Sequence, residues 1–438
     1  MTRIIDFDAL GARAGRCSVP VKRGKVTAVG ETVIEAVLPG SRIGMRVSIE
    51  RPGQSRAMAE VASCDGSRVK LLSLSRTIGI GPGDPVLTLS SEDTIPSGEA
   101  LLGRIIDPLG TPVDGGPSLE DLSPWSVDRA APDPLARIPV NKQLVTGIRV
   151  IDGCLSLGLG QRIGLFAGPG LGKSMLLGSL ARSAECDVSV ICLVGERGRE
   201  VKEFIDRSLG PGGLAQSVIV LAPPDSPPLV RAKALEAATA VAEWFRAAGK
   251  HVLLLVDSLT RAVRARRDVA LALGEAPARD GYPASAFASL PSVLERAGCD
   301  ASGSITAVYT VLTEREEGDP VAEEARSLLD GHIVLSSKLA GAGHWPAIDI
   351  VRSVSRVMDS VVAPAHLRAA RNLRRLLGAY AEHEDLIMMG AYRQGASPDT
   401  DLALDRKTEI ASFTRQEDSE PSSIESTLKT LFLLTRDL

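Results

Sequence analysis

The segment AGPGLGKS, residues 167–174, has the composition and the setting of a phosphate-binding loop. It follows the apolar stretch RIGLFAG and precedes the helical stretch KSMLLGSLARSA. In such a loop, small residues let successive backbone N–H groups surround a phosphate at a helix N-terminus. Lys173 then supplies an ammonium for the β- and γ-phosphates, and Ser174 supplies a hydroxyl for Mg²⁺. The predicted nucleotide-binding residues of this loop are Gly168, Pro169, Gly170, Leu171, Gly172, Lys173, Ser174 and Met175.

One position departs from the usual pattern GxxxxGK[ST], because its first residue is Ala167 rather than glycine. Alanine is acceptable there if the residue needs no positive φ, since only glycine adopts such a conformation at no cost. The remaining glycines and the lysine keep the spacing of the pattern. The segment therefore still predicts a phosphate site.

Two acidic residues that follow apolar strands complete the predicted site. HVLLLVDS contains Asp257 at the end of its apolar run, which is the place of an acid that holds magnesium through water. Glu196 directly follows VSVICLVG, where a carboxylate orients the water that attacks the γ-phosphate. Arg197 beside it would carry charge to the phosphate oxygens. Without the phosphate loop, Glu196 would equally be a loop residue that caps the next helix.

The elements that position these residues differ along the chain. Residues 1–95 carry short strands separated by turn residues, which predicts a small N-terminal β-barrel or sandwich. Residues 96–137 are rich in Pro, Gly and Asp and are interpreted as a connector. Over 138–363 apolar strands alternate with helices, which predicts a parallel sheet covered on both faces. Residues 364–438 have leucines at helical spacing and predict a C-terminal helical domain.

Composition excludes several classes of function. The chain of 438 residues has a net charge of −4, so no global field attracts nucleic acid or an anionic membrane. Residues 1–124 contain one aromatic residue, Phe7, which leaves an N-terminal barrel almost nothing on which to stack bases. No apolar run reaches the roughly 18 residues that span a bilayer, and the N-terminus lacks the apolar region of a signal peptide. A cytosolic location is expected.

Many strings in the chain, in order, resemble the catalytic subunits of rotary ATP synthases and, more closely, the ATPases of type III protein export, both flagellar and injectisome. They include LGRIIDPLGTPVDGG, TGIRVIDG, GYPASAFASLPSVLERAG, RSLLDGHIVLSSKLA and IDIVRSVSRVM. The resemblance covers nearly the whole chain. It implies an α/β fold with a RecA-like P-loop ATPase core, an N-terminal small β-barrel and a C-terminal helical domain, and it implies ATP and Mg²⁺ as cofactors.

The resemblance also implies roles for single residues. Glu196 would orient the attacking water, and Arg356, in SVSRVM, would reach into the nucleotide site of a neighbouring subunit. Trp345, in GHWPAID, and Phe413 would be aromatic residues of the adenine pocket. Arg261, in DSLTR, would be a structural or relay arginine near the magnesium acid. Because one chain carries the loop, the glutamate and the arginine, a ring of identical copies completes every site, and a homohexamer is expected.

Three functions remain to be compared: an export ATPase, a catalytic subunit of a rotary synthase, and an RNA-translocating ring. The segment DLIMMGAYRQGASPDTDLAL resembles the export ATPases and lacks the acidic DELSEED-like loop with which a synthase pushes its stalk. Export is therefore favoured, and GAYRQGASP favours the flagellar system over the injectisome. The strings APPDSPP, RAVRARRDV and TEREEGDP depart from the family's usual ones, which leaves substrate choice and catalytic rate open.

The export assignment implies partners and a location. A stator or regulator protein, export chaperones and membrane components of the export gate are expected to bind this chain. It would associate with the cytoplasmic face of the inner membrane through those partners and would bind no nucleic acid. The N-terminal barrel is the expected place for ring contacts and for a regulator.

Overall fold

The computed structural model describes residues 22–89, 92–313 and 318–436. Phe7 and four residues of TEREEGDP, 314–317, lie outside the described residues. The chain divides into two compact units. The smaller comprises the described residues up to Thr94 with Pro227–Leu229 and Asp268–Glu275, and the larger comprises the rest of the described chain.

A closed six-stranded barrel forms the smaller unit. Its strands are β1 (Arg23–Val29), β2 (Val33–Val37), β3 (Arg46–Ile49), β4 (Ala57–Asp65), β5 (Arg68–Ser73) and β6 (Pro85–Thr88), in the order β1-β2-β5-β4-β3-β6. All neighbours are antiparallel. In β2, buried Ile34 and Ala36 alternate with more exposed residues, so every second side chain fills the interior. The predicted N-terminal β-barrel is confirmed.

The larger unit contains the remaining strands, apart from Thr94 at the start of the first of them. They are β7 (Thr94–Ser97), β8 (Ile105–Ile106), β9 (Ser123–Ser126), β10 (Gln143–Leu144), β11 (Leu157–Gly158), β12 (Arg162–Ala167), β13 (Val188–Val194), β14 (Ser217–Ala222), β15 (His251–Asp257), β16 (Gly298–Cys299), β17 (Ser304–Leu312), β18 (Gly331–Val334) and β19 (Val354–Ser355). A nine-stranded sheet has the order β19-β18-β12-β17-β15-β13-β14-β8, with β16 paired to β17. From β18 to β8 the strands are parallel.

Helices of the described chain follow these strands. They are α1 (Arg149–Cys154), α2 (Lys173–Ser183), α3 (Gly198–Glu203), α4 (Gly210–Ala215), α5 (Pro228–Ala247), α6 (Leu259–Ala272), α7 (Ser285–Ala288), α8 (Leu290–Leu294), α9 (Pro320–Leu328), α10 (Ser337–Gly341), α11 (Met358–Val361), α12 (Pro364–Met388), α13 (Pro398–Asp405), α14 (Lys407–Thr414) and α15 (Ile424–Leu434). A π-helical turn, Phe204–Leu209, joins α3 to α4. Within residues 22–89, 92–313 and 318–436, no helix is both long and apolar enough to cross a membrane.

Both faces of the large sheet are buried. Strand β13 shows why, since Val190 and Cys192 pack into one hydrophobic core and Ile191 and Leu193 into the other. Successive side chains of a strand point to opposite faces, so an unbroken apolar strand needs cover on both sides. Helix α5 contributes to the first core, and α2 and α12 contribute to the second. The predicted parallel sheet and C-terminal helices are confirmed.

The stretch interpreted as a connector adds structure to this unit. Its strand β8 pairs in parallel with β14 at the edge of the sheet. Leu101, Ile106 and Leu119 are buried in the first core. Strand β8 has only two residues, which is too short for a periodic pattern to show in the sequence.

Candidate active site

The loop between β12 and α2 has the backbone that a phosphate-binding turn needs. Gly170 and Gly172 have φ values of 75° and 79°. Asp280 is the only described non-glycine residue with a positive φ, so Ala167 adopts its place without strain. A Cβ added to Gly172 would lie 2.6 Å from Trp345 Cζ3, so this glycine is also required by close packing.

Three parallel strands bring the charged residues of the site together at their carboxyl ends. Strand β12 leads into the loop, β13 leads to Glu196, and β15 ends at Asp257. The ammonium of Lys173 donates a hydrogen bond to Asp257 Oδ1 and lies 3.5 Å from Glu196 Oε1. Asp257 and Glu196 are only 3% and 8% exposed, so their charges are largely removed from solvent. The structure therefore joins three of the predicted catalytic residues.

Two further side chains hold these carboxylates. Arg261, on α6, forms an ion pair with Glu196 Oε1. Its Cδ would lie 3.1 Å from a Cβ added to Gly195, which has a φ of 65°. The hydroxyl of Thr310, on β17, donates to Asp257 Oδ1 at 3.1 Å. Sequence reasoning did not identify Thr310, because only the sheet order brings β17 beside β15.

The two other predicted catalytic residues, Arg197 and Arg356, lie apart from this group. The side chain of Arg197 is 82% exposed, and its nearest ion-pair partner is Glu200, at 3.9 Å. Arg356 follows β19 and is exposed. Its guanidinium donates to the carbonyl of Arg326 at 3.5 Å, and its backbone N–H donates to the carbonyl of Asp330 at 3.0 Å. Neither arginine hydrogen-bonds to the phosphate loop of its own chain in the described structure.

A cavity of about 180 Å³ opens beside the loop, between α2 and a C-terminal segment. Gly172, Met175, Trp345 and residues 415–418 are among the residues that line it. Trp345, which the resemblance assigned to the adenine pocket, is thus one of the residues that line this cavity.

Phe413 does not line this cavity, so its prediction as a second aromatic residue of the adenine pocket is corrected. It is 2% exposed in the core, where a Cβ added to Gly153 would lie 2.9 Å from its ring. The following polar segment occupies the cavity wall instead. Its Asp418 bonds to the hydroxyl of Ser179 and forms an ion pair with Arg182 at 2.9 Å.

Comparison with known proteins decides the family. The ATP synthase alpha/beta family, nucleotide-binding domain, matches residues 147–355, and the T3SS EscN ATPase C-terminal domain matches residues 362–432. The flagellum-specific ATP synthase of Treponema pallidum (strain Nichols) is 45% identical over 424 residues, which are 96% of this chain and 95% of that protein. The chain belongs to the type III protein-export ATPases.

Relatives of this export ATPase come from both export systems. The type 3 secretion system ATPase of Xanthomonas euvesicatoria is 45% identical over 422 residues, 94% of each chain. The solved structure of the assembled ATPase EscN from the enteropathogenic E. coli type III secretion system has a TM-score of 0.89 at 44% identity, and covers 94% of this chain and 100% of that one. A second structure shows EscN in complex with its central stalk EscO, with a TM-score of 0.87 at 44% identity and the same coverage.

Electrostatics of the export ATPase distinguish the two carboxylates of the site. Burial raises the pKa of Asp257, and the ammonium of Lys173 opposes that shift. Burial also acts to raise the pKa of Glu196, but hydrogen bonds with Glu200 and Arg261 and the charge of Lys173 outweigh it, so this pKa is lowered. Glu196 is therefore ionised at neutral pH.

Glu200 is a further residue of the site that sequence reasoning missed. Its hydrogen bond with Glu196 raises the pKa of Glu200, so the proton of this carboxyl pair resides on Glu200 at acidic pH. Glu196 lies two residues before α3, and Glu200 is an acidic residue in the first turn of that helix. The signal in the sequence was this second acidic residue, the next one after Glu196 along the chain.

The residues present fit a nucleotide with magnesium. Ser174 is exposed at the first turn of α2, and the buried carboxylate of Asp257 already accepts a cationic group. Magnesium prefers oxygen ligands and takes several of them from water and from substrate phosphates. Accordingly, a site of this kind needs no cluster of protein ligands, and the described part of the chain holds no group of three or more His, Cys, Asp or Glu side chains suited to a metal.

Proposed function

We propose that this chain hydrolyses ATP with Mg²⁺ at the interfaces of a ring of identical subunits, and that hydrolysis energises type III protein export. One observation carries the proposal. Lys173 of the phosphate loop contacts both Asp257 and Glu196 at the carboxyl ends of parallel strands, where open α/β sheets bind their ligands. The charges of Lys173, Asp257 and Glu196 are thus assembled next to the phosphate loop, where the γ-phosphate of a bound nucleotide would lie.

Each residue of the site has a distinct task in this proposal. The loop 168–175 binds the phosphates through backbone N–H groups, and Lys173 turns its ammonium from the carboxylates to the phosphate oxygens. Ser174, with Asp257 acting through water, would hold magnesium, which when bound neutralises charge on the transferred phosphoryl group. Glu196, held in place by Arg261, orients the attacking water. Trp345 bounds the cavity that takes the base.

The exposed position of Arg356 favours the proposal that identical subunits form a ring. Arg356 bonds only to carbonyls of its own chain in the described contacts, so its charge is available to another molecule. In the ring, Arg356 of one subunit would stabilise charge at the phosphates bound by the next, as arginine fingers do. Arg197, the residue directly before α3, would approach the same phosphates only after a local rearrangement. We propose a homohexamer, and the related EscN is described as an assembled ATPase.

The proposed partners follow from the relatives. EscN binds a central stalk, and we infer that a stalk or regulator protein binds this chain as well. In this proposal residues 138–363 are the catalytic domain, and the helical domain 364–438 faces cargo. Opening of a nucleotide interface moves that domain, releases chaperones and unfolds export substrates at the gate on the cytoplasmic face of the inner membrane. The segment GAYRQGASP favours flagellar cargo.

A deletion strain tests the function and distinguishes the two systems. The strain is assayed for motility and, separately, for secretion of effector proteins, and is then complemented with the wild-type chain or with Lys173→Ala. Loss of motility that only the wild-type chain restores supports flagellar export. Loss of effector secretion alone would assign the chain to an injectisome. Normal motility and normal secretion in the deletion strain would contradict the export function.

A further inference from the structure

Gln161 is fully buried directly before β12, the strand that leads into the phosphate loop, yet its side chain bonds to the segment that carries Arg356. Its amide nitrogen donates to the hydroxyl of Ser355 at 3.1 Å and to the carbonyl of Asp330 at 3.3 Å. Its amide oxygen accepts the backbone N–H of Gly158 at 3.0 Å. Both ends of the amide are engaged, so its orientation is fixed.

The two acceptors of the Gln161 amide nitrogen, on Ser355 and Asp330, both adjoin the backbone of Arg356. The carbonyl of Asp330 also accepts the backbone N–H of Arg356, at 3.0 Å. Ser355 directly precedes Arg356 and pairs with Gly331 in the short ladder between β18 and β19. One buried amide therefore joins both strands of that ladder at its end.

A second set of bonds ties Asp330 to the same strand. Its carboxylate accepts the backbone N–H of Arg162 at 2.9 Å and the guanidinium at 3.1 Å on each oxygen. Such bidentate pairs fix geometry as well as charge. Strand β12 begins at Arg162 and ends at Ala167, the first residue of the phosphate loop. The strand that carries the phosphate loop therefore also anchors the backbone of Arg356.

Contacts of the Arg356 side chain do little to position it. Its guanidinium makes one weak hydrogen bond, at 3.5 Å, to the carbonyl of Arg326, and the side chain is otherwise exposed. The position at which its charge is presented depends on the backbone, and the backbone depends on the bonds of Gln161 and Asp330.

We propose that Gln161 is a positioning residue for Arg356, fixing the backbone from which Arg356 reaches the nucleotide site of the neighbouring subunit. This inference rests on the proposed function, in which Arg356 acts across the interface. It predicts an unusual location for the defect. A subunit with altered Gln161 keeps its own nucleotide site intact and impairs the site of its neighbour.

Mixing of variants tests this location directly. Gln161→Leu removes the amide and keeps a similar volume, and we expect kcat to fall by about 10²-fold with KM for ATP within about twofold. Gln161→Leu subunits, diluted so that rings dissociate, are then mixed with an equal amount of Lys173→Ala subunits and concentrated so that mixed rings form. At about one quarter of the interfaces, a Gln161→Leu subunit then supplies an intact phosphate loop and a Lys173→Ala subunit supplies a correctly positioned Arg356. Activity should therefore rise well above that of either protein alone. No rise, or a folded Gln161→Leu ring with normal kcat, overturns the inference.

The mixture of Arg356→Ala with Lys173→Ala is the control. Its failure to regain activity would contradict the proposed function, since Arg356 would not act across the interface. Recovery there without recovery for Gln161→Leu would contradict the positioning role alone. If Gln161→Leu does not fold, Ser355→Ala is used in its place, because it removes one of the two acceptors of the Gln161 amide nitrogen. We expect kcat of Ser355→Ala to fall about threefold to tenfold and the same mixing to restore it. An unchanged kcat would reject the role.

Discussion

Lys173 and Asp257 are 84 residues apart in the sequence, and the ammonium of the first donates directly to a carboxylate oxygen of the second. Asp257 is 3% exposed, so an ionised carboxylate at this position needs a cation beside it. The lysine of the phosphate loop therefore supports the folded site as well as serving nucleotide binding. Loss of the lysine should therefore affect both the stability of the fold and the affinity for nucleotide, which can be measured separately.

Lys173→Ala is expected to abolish ATP binding, measured by titration with a fluorescent nucleotide. Removal of one partner of a buried ion pair also lowers the free energy of unfolding, by about 3 kcal/mol, measured by urea unfolding. Lys202→Ala is the matched control, because Lys202 forms an exposed ion pair with Asp206 at 2.9 Å and contributes less than about 1 kcal/mol. ATP binding by Lys173→Ala at the wild-type affinity would contradict the assignment of the loop.

Glu196→Gln is expected to keep ATP binding and to lower kcat by about 10²- to 10⁴-fold, because glutamine is a far weaker acceptor for the proton of the attacking water. Steady-state hydrolysis and equilibrium nucleotide binding give the two quantities. Glu203→Gln serves as the control, since Glu203 ends the helix that follows Glu196 and forms an exposed ion pair with Arg207 at 3.3 Å. Normal turnover by Glu196→Gln would show that another group orients the water.

Two glycines of the loop are expected to respond differently to alanine. Gly172 has a φ of 79°, and an added Cβ would lie 2.6 Å from Trp345, so Gly172→Ala should lower thermal stability and nucleotide affinity. Gly168 has no positive φ, and an added Cβ would lie 3.5 Å from Leu171, an ordinary contact. Gly168→Ala should therefore fold with nearly wild-type stability, as natural Ala167 does. Thermal unfolding of the two variants checks this contrast, which equal losses would refute.

Local patterns allowed the sequence to predict the centre of the site. Asp257 ends one buried apolar strand and Glu196 lies two residues after the end of another, and parallel strands must bring such residues to one edge of the sheet. Trp345 was assigned from a resemblance and does line the cavity beside the loop. The predictions of Glu196 and Asp257 required only strand ends and motif spacing, whereas that of Trp345 required the resemblance.

Long-range packing decided what the sequence did not show. Phe413 was misplaced because the segment after it departs from the family's pattern, and in the structure that polar segment lines the cavity while the ring is buried. The contact between Gln161 and Asp330 joins residues 169 positions apart, and neither belongs to a recognisable motif. Such contacts depend on the order of strands in the sheet, which no local pattern specifies.

Asp152 predicts a distinct dependence of stability on pH. Burial raises its pKa to about 6 although Thr146 and Gly147 donate hydrogen bonds to it. Because the folded protein binds this proton more tightly than the unfolded chain, the contribution of Asp152 is lost as pH rises from about 4 to about 6, by about 3 kcal/mol. Asp152→Asn does not titrate, so the stability of the wild type relative to this variant should fall over that interval in urea unfolding. Parallel pH profiles would contradict this, and exposed Asp121→Asn is the control.

The ring makes activity depend on protein concentration. If Arg356 of one subunit completes the site of the next, dissociated subunits lack the charge that stabilises the transferred phosphoryl group, a contribution of about 10³-fold or more in related enzymes. Specific ATPase activity should therefore rise steeply with concentration, in parallel with the hexamer measured by light scattering. Arg356→Ala should remain slow at every concentration, including those at which it is assembled. Constant specific activity of the wild-type chain down to nanomolar concentration would mean that each subunit completes its own site.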